Sequence, residues 1–347
     1  MSAPGIGIVG LGAVSELHAM AVRAIGDKRL VACCSRDAAK AAAFAAKHGC
    51  TAYSSPKEFL AHPGLDIVAI TTASGFHLEP GLAAIAAGKH LIIEKPLEIS
   101  LDRCDQLIEA AERRHVIVSG IFQSRYNPAS QAIKDALDRG RFGRLVLGDA
   151  YVKWFRDQAY YDRTPQRGTW AYDGGGALMN QGIHAVDLLQ WYMGPVKFVQ
   201  AYTSTVGHER VEVEDNAVVA VHFENGAFGV IEGSTAVYPG FSKRIEISGT
   251  QGTAILEENA LRAWEFAKPE QSDAETRTKH GSTEAPAGGA ANPMAISFSG
   301  HQRQYEEMIR CVEDGGTPLV DAREARKSVA IILAAYRSAR QHAEVKV

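Results

Sequence analysis

Residues 7–15 read Gly7-Ile8-Val9-Gly10-Leu11-Gly12-Ala13-Val14-Ser15, and the reading of this stretch decides the fold. An apolar, β-prone run ends in Gly-x-Gly and passes directly into a segment of helical composition. A strand, a glycine turn and a helix in that order leave backbone bare of Cβ and aim the first helical amides at one point, as a dinucleotide pyrophosphate requires. Gly10 and Gly12 fill the first two positions of Gly-x-Gly-x-x-Gly, and Ser15 takes the third. Further on, Glu94-Lys95-Pro96 follows the apolar run at 90–93 and places a lysine at a strand end.

Outward from that turn, residues 6–9, 29–34, 67–71, 90–93 and 116–120 are strand-like without polar alternation, as strands covered on both faces are. Between them, 15–25, 38–48, 78–87 and 101–113 have helical composition. The βαβ order predicts an α/β fold with a doubly wound parallel sheet over residues 1–122. The chain has 347 residues, 46% of them hydrophobic, which exceeds the size at which one core usually stops growing. A second domain is therefore expected over 123–347. There, 145–155, 196–206, 217–223, 228–235, 244–249 and 253–256 read as strands, with Glu224-Asn225-Gly226 as a hairpin turn between two of them. Residues 268–292 turn polar and read as a mobile insertion.

The net charge of −3 gives no general attraction to nucleic acid or anionic lipid, so a small molecule is the expected partner. The five cysteines show neither a CxxC pair nor metal-ligand spacing, and no metal is expected. Reduced thiols and a cytoplasmic location follow, with no export signal or membrane-spanning run.

The end of the second strand bears on which nicotinamide cofactor is used. An acid there would bind a ribose 2′-hydroxyl and repel a 2′-phosphate, but Ser35 holds that place and Arg36 follows it. The pattern leans toward NADP over NAD, with Asp37 pulling the other way.

Gly10-x-Gly12, Asp66-Ile67-Val68-Ala69-Ile70-Thr71 followed by His77, and Gly88-Lys89-His90 leading to Glu94-Lys95-Pro96 together resemble the glucose-fructose oxidoreductase, inositol dehydrogenase and rhizopine-catabolism (Gfo/Idh/MocA) family. The resemblance continues through Arg125-Tyr126-Asn127-Pro128, Gly174-Gly175-Gly176 with His184, and the closing segment from His301 to Ala339. It implies a Rossmann domain followed by an α+β domain with an open, mixed, mostly antiparallel sheet that builds homodimers or homotetramers. It also implies NAD(P) and a sugar or polyol substrate. Cofactor contacts are expected from Gly10, Gly12, Ala13, Val14, Ser35, Arg36, Thr71, Thr72, Ala73, His77, Glu94 and Lys95.

Residues 177–193 read as one apolar-periodic helix ended by Gly194-Pro195. Asn180 and His184 are four apart and so share a face, with Asp187 three further on. A histidine in such a helix is ordinarily a hydrogen-bonded core residue; the resemblance makes His184 the catalytic histidine and Lys95 the catalytic lysine. A hydride leaves a carbinol carbon only as its hydroxyl proton is removed, so the chemistry needs a base near neutral pKa and a cation that favours the alkoxide. Asn180, expected as the third catalytic residue, stands where many relatives carry aspartate and can hydrogen-bond a substrate hydroxyl or the histidine; the Asn180-Gln181-Gly182-Ile183-His184 version, with Gly168-Thr169-Trp170 before it, resembles dehydrogenases of UDP-linked amino-sugar acids.

Substrate contacts are expected from Arg125, Tyr126, Asn127, Trp154, Arg156, Tyr161, Arg167, Trp170 and His301, because sugars are held by planar polar groups and aromatic faces. The leading expectation is an NAD(P)-dependent sugar or polyol oxidoreductase. The alternatives are a glycosidase that uses tightly held NAD for a transient oxidation, and a non-catalytic cofactor sensor.

Overall fold

The computed structural model describes residues 4–26, 29–281 and 297–347. By contact the chain divides into two units: residues 1–123 with 297–326, and residues 124–296 with 327–347.

In the first unit, β1 (Gly5–Val9), α1 (Ala13–Ile25), β2 (Leu30–Cys34), α2 (Ala38–His48), β3 (Thr51–Tyr53), α3 (Pro56–Leu60), β4 (Leu65–Ile70), α4 (Leu78–Ala86), β5 (His90–Ile93), α5 (Leu101–Arg114) and β6 (Val118–Gly120) follow one another. The strands form one sheet in the order β3-β2-β1-β4-β5-β6, with every pair parallel. Ile6, Ile8, Ile67, Ile70, Leu91 and Ile92 are fully buried, which accounts for strands that lack polar alternation. Strand β3 and helix α3 escape the sequence reading because three- and five-residue elements carry too few periods to register.

The second unit opens with α6 (Pro128–Asp138), β7 (Leu145–Lys153), α7 (Gln158–Asp162), α8 (Trp170–Asp173), a π-helical turn at Ala177–Gly182 and α9 (Ile183–Met193). It continues with β8 (Val196–Ser204), β9 (Asn216–Phe223), β10 (Phe228–Ser234), β11 (Arg244–Gly249), β12 (Gly252–Glu257), β13 (Ala260–Phe266) and α10 (Ser272–His280). Helix α11 (Ser299–Asp314) follows in the first unit, then α12 (Ala322–Gln341) and β14 (Val345–Lys346). The sheet order is β13-β12-β11-β7-β10-β9-β8-β14, antiparallel except for the β7–β10 pair. Along β9, Ala217, Val219, Val221 and Phe223 are buried while Val218 is exposed, so one face is packed and the other open.

Two expectations need correction. The second domain was expected to run unbroken over 123–347, yet α11 joins the first unit, where Tyr305, Met308 and Ile309 enter the same core as Ile6, Ile8, Ala19 and Val22. The reason is an apolar stripe on α11 that packs along α1. The expected mobile insertion also begins with ordered structure. Residues 268–281 hold α10, anchored by the Asp273 carboxylate, which accepts from Arg141 at 2.6 Å and from the Trp264 indole at 2.8 Å. Residues 282–292 of that insertion lie outside the described residues.

Candidate active site

The turn between β1 and α1 is built for backbone approach. Gly10 has φ +93°, and a Cβ there would stand 2.6 Å from the Thr72 amide nitrogen, so only glycine fits. Gly12 donates its amide to Gly10 carbonyl oxygen at 3.1 Å and caps α1 without a side chain, and nothing lies within 4 Å of where its Cβ would be. The N-terminus of α1 thus begins beside open space, with the helix dipole behind it. Ser15, in the place of the third glycine, is buried and donates its hydroxyl to Gly12 carbonyl oxygen at 2.6 Å. This cradle fits a dinucleotide pyrophosphate.

Around it, several expected cofactor contacts shape the loops. The Thr71 hydroxyl donates to Gly10 carbonyl oxygen at 2.5 Å, and the Thr72 hydroxyl to Phe76 carbonyl oxygen at 2.8 Å. Ala73 caps a short 3₁₀ turn, Ser74–Phe76. His77 is fully buried, with Nδ1 2.9 Å from Pro96 carbonyl oxygen and Nε2 3.1 Å from Thr72 carbonyl oxygen. It ties the loop after β4 to the loop after β5. At the end of β2, Asp37 caps α2 by accepting the Lys40 amide at 3.1 Å, while Ser35 Oγ accepts the Asp37 amide and Arg36 is exposed.

Lys95 is half-buried immediately after β5, and its amide donates to Glu94 Oε2 at 3.1 Å. Glu94 Oε1 lies 2.8 Å from His18 Nε2 and 3.6 Å from His301 Nε2. His301, expected as a substrate contact, is thus a buried member of the first unit facing Glu94, because α11 packs there. Burial opposes charge on Glu94, but the hydrogen bond with His18 and the nearby His301 imidazole prevail and hold its carboxyl well below the usual range. Burial pushes the His18 imidazole down, against the pull of Glu94.

In the second unit the expected single helix over 177–193 is instead a π-helical turn running into α9. The Gln181 amide reaches Gly176 carbonyl oxygen at 3.3 Å, five residues back, while the Asn180 amide reaches the same oxygen at 3.0 Å. Asn180 Nδ2 donates to Asp173 Oδ1 at 2.8 Å, and the other Asp173 oxygen accepts the Gly168 amide at 2.6 Å. Gln181 Nε2 donates to Asn180 Oδ1 at 3.2 Å and to the Tyr160 hydroxyl at 3.1 Å, while Gln181 Oε1 accepts from Arg156 at 2.9 Å. A polar chain thus runs from Arg156 through Gln181 and Asn180 to Asp173. Arg156 also lies over the rings of Trp154 and Tyr160, 5.2 and 5.6 Å from their centroids. The Trp154 indole N–H is buried with no acceptor among the described residues.

The structure places the other expected substrate contacts as follows. Arg125 is 1% exposed and grips Asp187 with two bonds of 2.8 and 2.7 Å. Tyr126 is buried, and Asn127 caps α6 by accepting the Ala129 amide at 2.8 Å. The Tyr161 hydroxyl lies 2.9 Å from Thr235 Oγ1, and Arg167 donates to Tyr160 carbonyl oxygen at 3.0 Å. Trp170 is 40% exposed and meets Tyr336 edge-on. His18, Tyr305 and Glu214 are given no role by the sequence, since their partners are distant in the chain and no spacing announces them.

Residues 5–122 match the family model for the oxidoreductase family NAD-binding Rossmann fold, and residues 130–255 match that for the GFO/IDH/MocA C-terminal domain. The chain is similar to the WlbA dehydrogenase of Chromobacterium violaceum, solved with NADH and UDP-GlcNAcA, at 33% identity over 100% of this chain and 96% of that one, with a TM-score of 0.90. WlbA of Bordetella pertussis, solved with the same two molecules, is 32% identical over 99% and 98%, also at a TM-score of 0.90. Myo-inositol 2-dehydrogenase of Thermotoga maritima is 26% identical over 99% of this chain and 98% of its own. Carrying the glycine cradle, the parallel sheet and both matched domains, the chain belongs to the Gfo/Idh/MocA family of NAD-binding oxidoreductases.

Proposed function

We propose that this oxidoreductase transfers a hydride between nicotinamide and a carbinol or carbonyl carbon of a sugar, with His184 as acid/base and Lys95 polarising the reacting oxygen. The observation that carries the reading is Lys95, whose backbone amide is held by the buried Glu94 carboxylate at the end of β5. Bound nicotinamide would supply the hydride acceptor or donor. The Lys95 ammonium would stabilise oxygen as its charge develops, and the His184 imidazole would take or return the hydroxyl proton.

Within sugars, we assign the substrate to sugar nucleotides bearing an acidic group. Arg156 fits a carboxylate, Trp154 offers its buried N–H, and both WlbA neighbours hold UDP-GlcNAcA. On the cofactor, exposed Arg36 and the capping role of Asp37 leave room for a 2′-phosphate, whereas the neighbours hold NADH. We infer NAD(P), with Arg36 as the group that admits NADP. The open sheet face exposes Leu147, Tyr202, Val218 and Phe228, and we assign it to a homodimer or homotetramer contact.

The test is absorbance at 340 nm with UDP-linked amino-sugar acids, neutral UDP-sugars and polyols, each with NAD and NADP. Turnover with the acidic sugar nucleotide is expected, and turnover on free polyols alone would reject the substrate assignment. Lys95→Ala and His184→Ala should each lower kcat by about 10² to 10⁴ with cofactor affinity retained.

A further inference from the structure

At the end of β5, buried groups from two helices converge on one carboxylate, and their protons can be assigned. Tyr305 Oη lies 2.6 Å from His18 Nδ1, and His18 Nε2 lies 2.8 Å from Glu94 Oε1. An ionised carboxylate only accepts, so Nε2 carries a proton, and burial favours the neutral imidazole, in which Nδ1 accepts the Tyr305 O–H. His301 Nε2 stands 3.6 Å from the same carboxylate oxygen, and Lys95 N–H occupies the other. Glu94 is thus a buried carboxylate with a donor on each oxygen, enclosed by α1, α11 and β5. Three donor atoms of His18, Glu94 and His301 lie close enough to suggest a metal. A metal, however, would hold each ligand atom at about 2 Å from a common centre, and the direct His18–Glu94 bond already consumes both atoms.

A buried charge with hydrogen-bonded partners is seldom worth more than an apolar filling of the same volume, so stability alone does not account for it. Its place does. In a doubly wound sheet a dinucleotide lies across the C-terminal ends of the strands at the switch in strand order, here between β1 and β4. With the phosphates on the β1–α1 turn, the second nucleoside falls on the side of β4 and β5, and Glu94 is the residue directly after β5.

We propose that His18 and Tyr305 are positioning residues that hold Glu94 ionised at the end of β5, and that this fixed charge makes the first unit bind the oxidised, cationic nicotinamide more tightly than the reduced, neutral one. The inference rests on the nicotinamide reading above.

The experiment measures dissociation constants of the full chain for NAD⁺ and NADH, by titration calorimetry and NADH fluorescence, with folding checked by circular dichroism. Glu94→Gln should weaken NAD⁺ by about tenfold and leave NADH within about twofold, a change only a charge-sensitive contact produces. Tyr305→Phe keeps the carboxylate but frees its relay, and should move the NAD⁺/NADH ratio in the same direction by a smaller factor; it carries the test if Glu94→Gln fails to fold. Equal loss for both forms, or an unchanged ratio, would overturn the inference and leave the cofactor reading standing. Failure of the wild-type chain to bind either form would overturn both.

Discussion

The Tyr336 hydroxyl donates to Glu214 Oε1 at 2.8 Å, and the same carboxylate accepts the amides of Gly176 and Leu178 at 2.9 and 2.8 Å. Glu214 is thereby the cap of the π-helical turn that leads to His184. Its own carbonyl oxygen takes the Ala177 amide at 2.9 Å and would lie 1.9 Å from a Cβ at position 176.

Removing that cap should therefore reach both stability and turnover. Glu214→Ala strips partners from two buried amides and a buried hydroxyl and should cost about 1–3 kcal/mol, and Tyr336→Phe about 1 kcal/mol. Urea unfolding reads the stability, and kcat should fall in Glu214→Ala as the helix start loosens. Wild-type unfolding and turnover in both variants would mean that the cap is dispensable.

Arg125 was expected to touch substrate, but its guanidinium is locked on fully buried Asp187. Arg125→Met removes both guanidinium bonds from a buried carboxylate and should cost about 3–5 kcal/mol. Denaturant midpoints check this; a large rise in KM with unchanged stability would return Arg125 to the substrate site.

The two glycines of the cradle should behave differently. Gly10→Ala meets Thr72 at 2.6 Å and carries an unfavourable φ of +93°, so both folding and cofactor binding should suffer. Gly12→Ala meets nothing within 4 Å, so the melting temperature should hold while the new methyl obstructs the space above α1. Melting curves paired with NADH fluorescence titrations separate the two, and unimpaired NADH binding by Gly12→Ala would remove the pyrophosphate from that turn.

Stability should decline on acidification in two stages. The His18 imidazole is lowered from 6.5 by burial, and the Glu94 carboxyl is lowered from 4.5 by its histidine partners despite burial. In both cases the unfolded chain binds the proton first, so their stabilisation is present above the unfolded values and lost as pH falls, from about 6.5 for His18 and about 4.5 for Glu94. Glu214 acts with the opposite sign: burial raises its carboxyl, so its contribution is greatest at low pH and fades as pH rises through its folded value. Melting temperatures across this range should show the decline, with its lower stage flattened in Glu94→Gln. A pH-independent melting temperature would contradict the arrangement at His18 and Glu94.

Local chemistry made much of this protein legible in the sequence. Gly10-x-Gly12 sits in the turn read from its neighbours, and all strands but β3, β13 and β14 lie close to the apolar runs, because strand, turn and helix signals act over a few residues. Tertiary packing decided the rest. It set α11 beside α1, turned Arg125 inward to Asp187 and widened the helix ahead of His184 into a π turn. It also brought Tyr305 to His18 across 287 positions and Tyr336 to Glu214 across 122. Such contacts are chosen by which apolar faces cover one another and which buried polar atoms must then be satisfied, and no residue spacing along the chain encodes that choice.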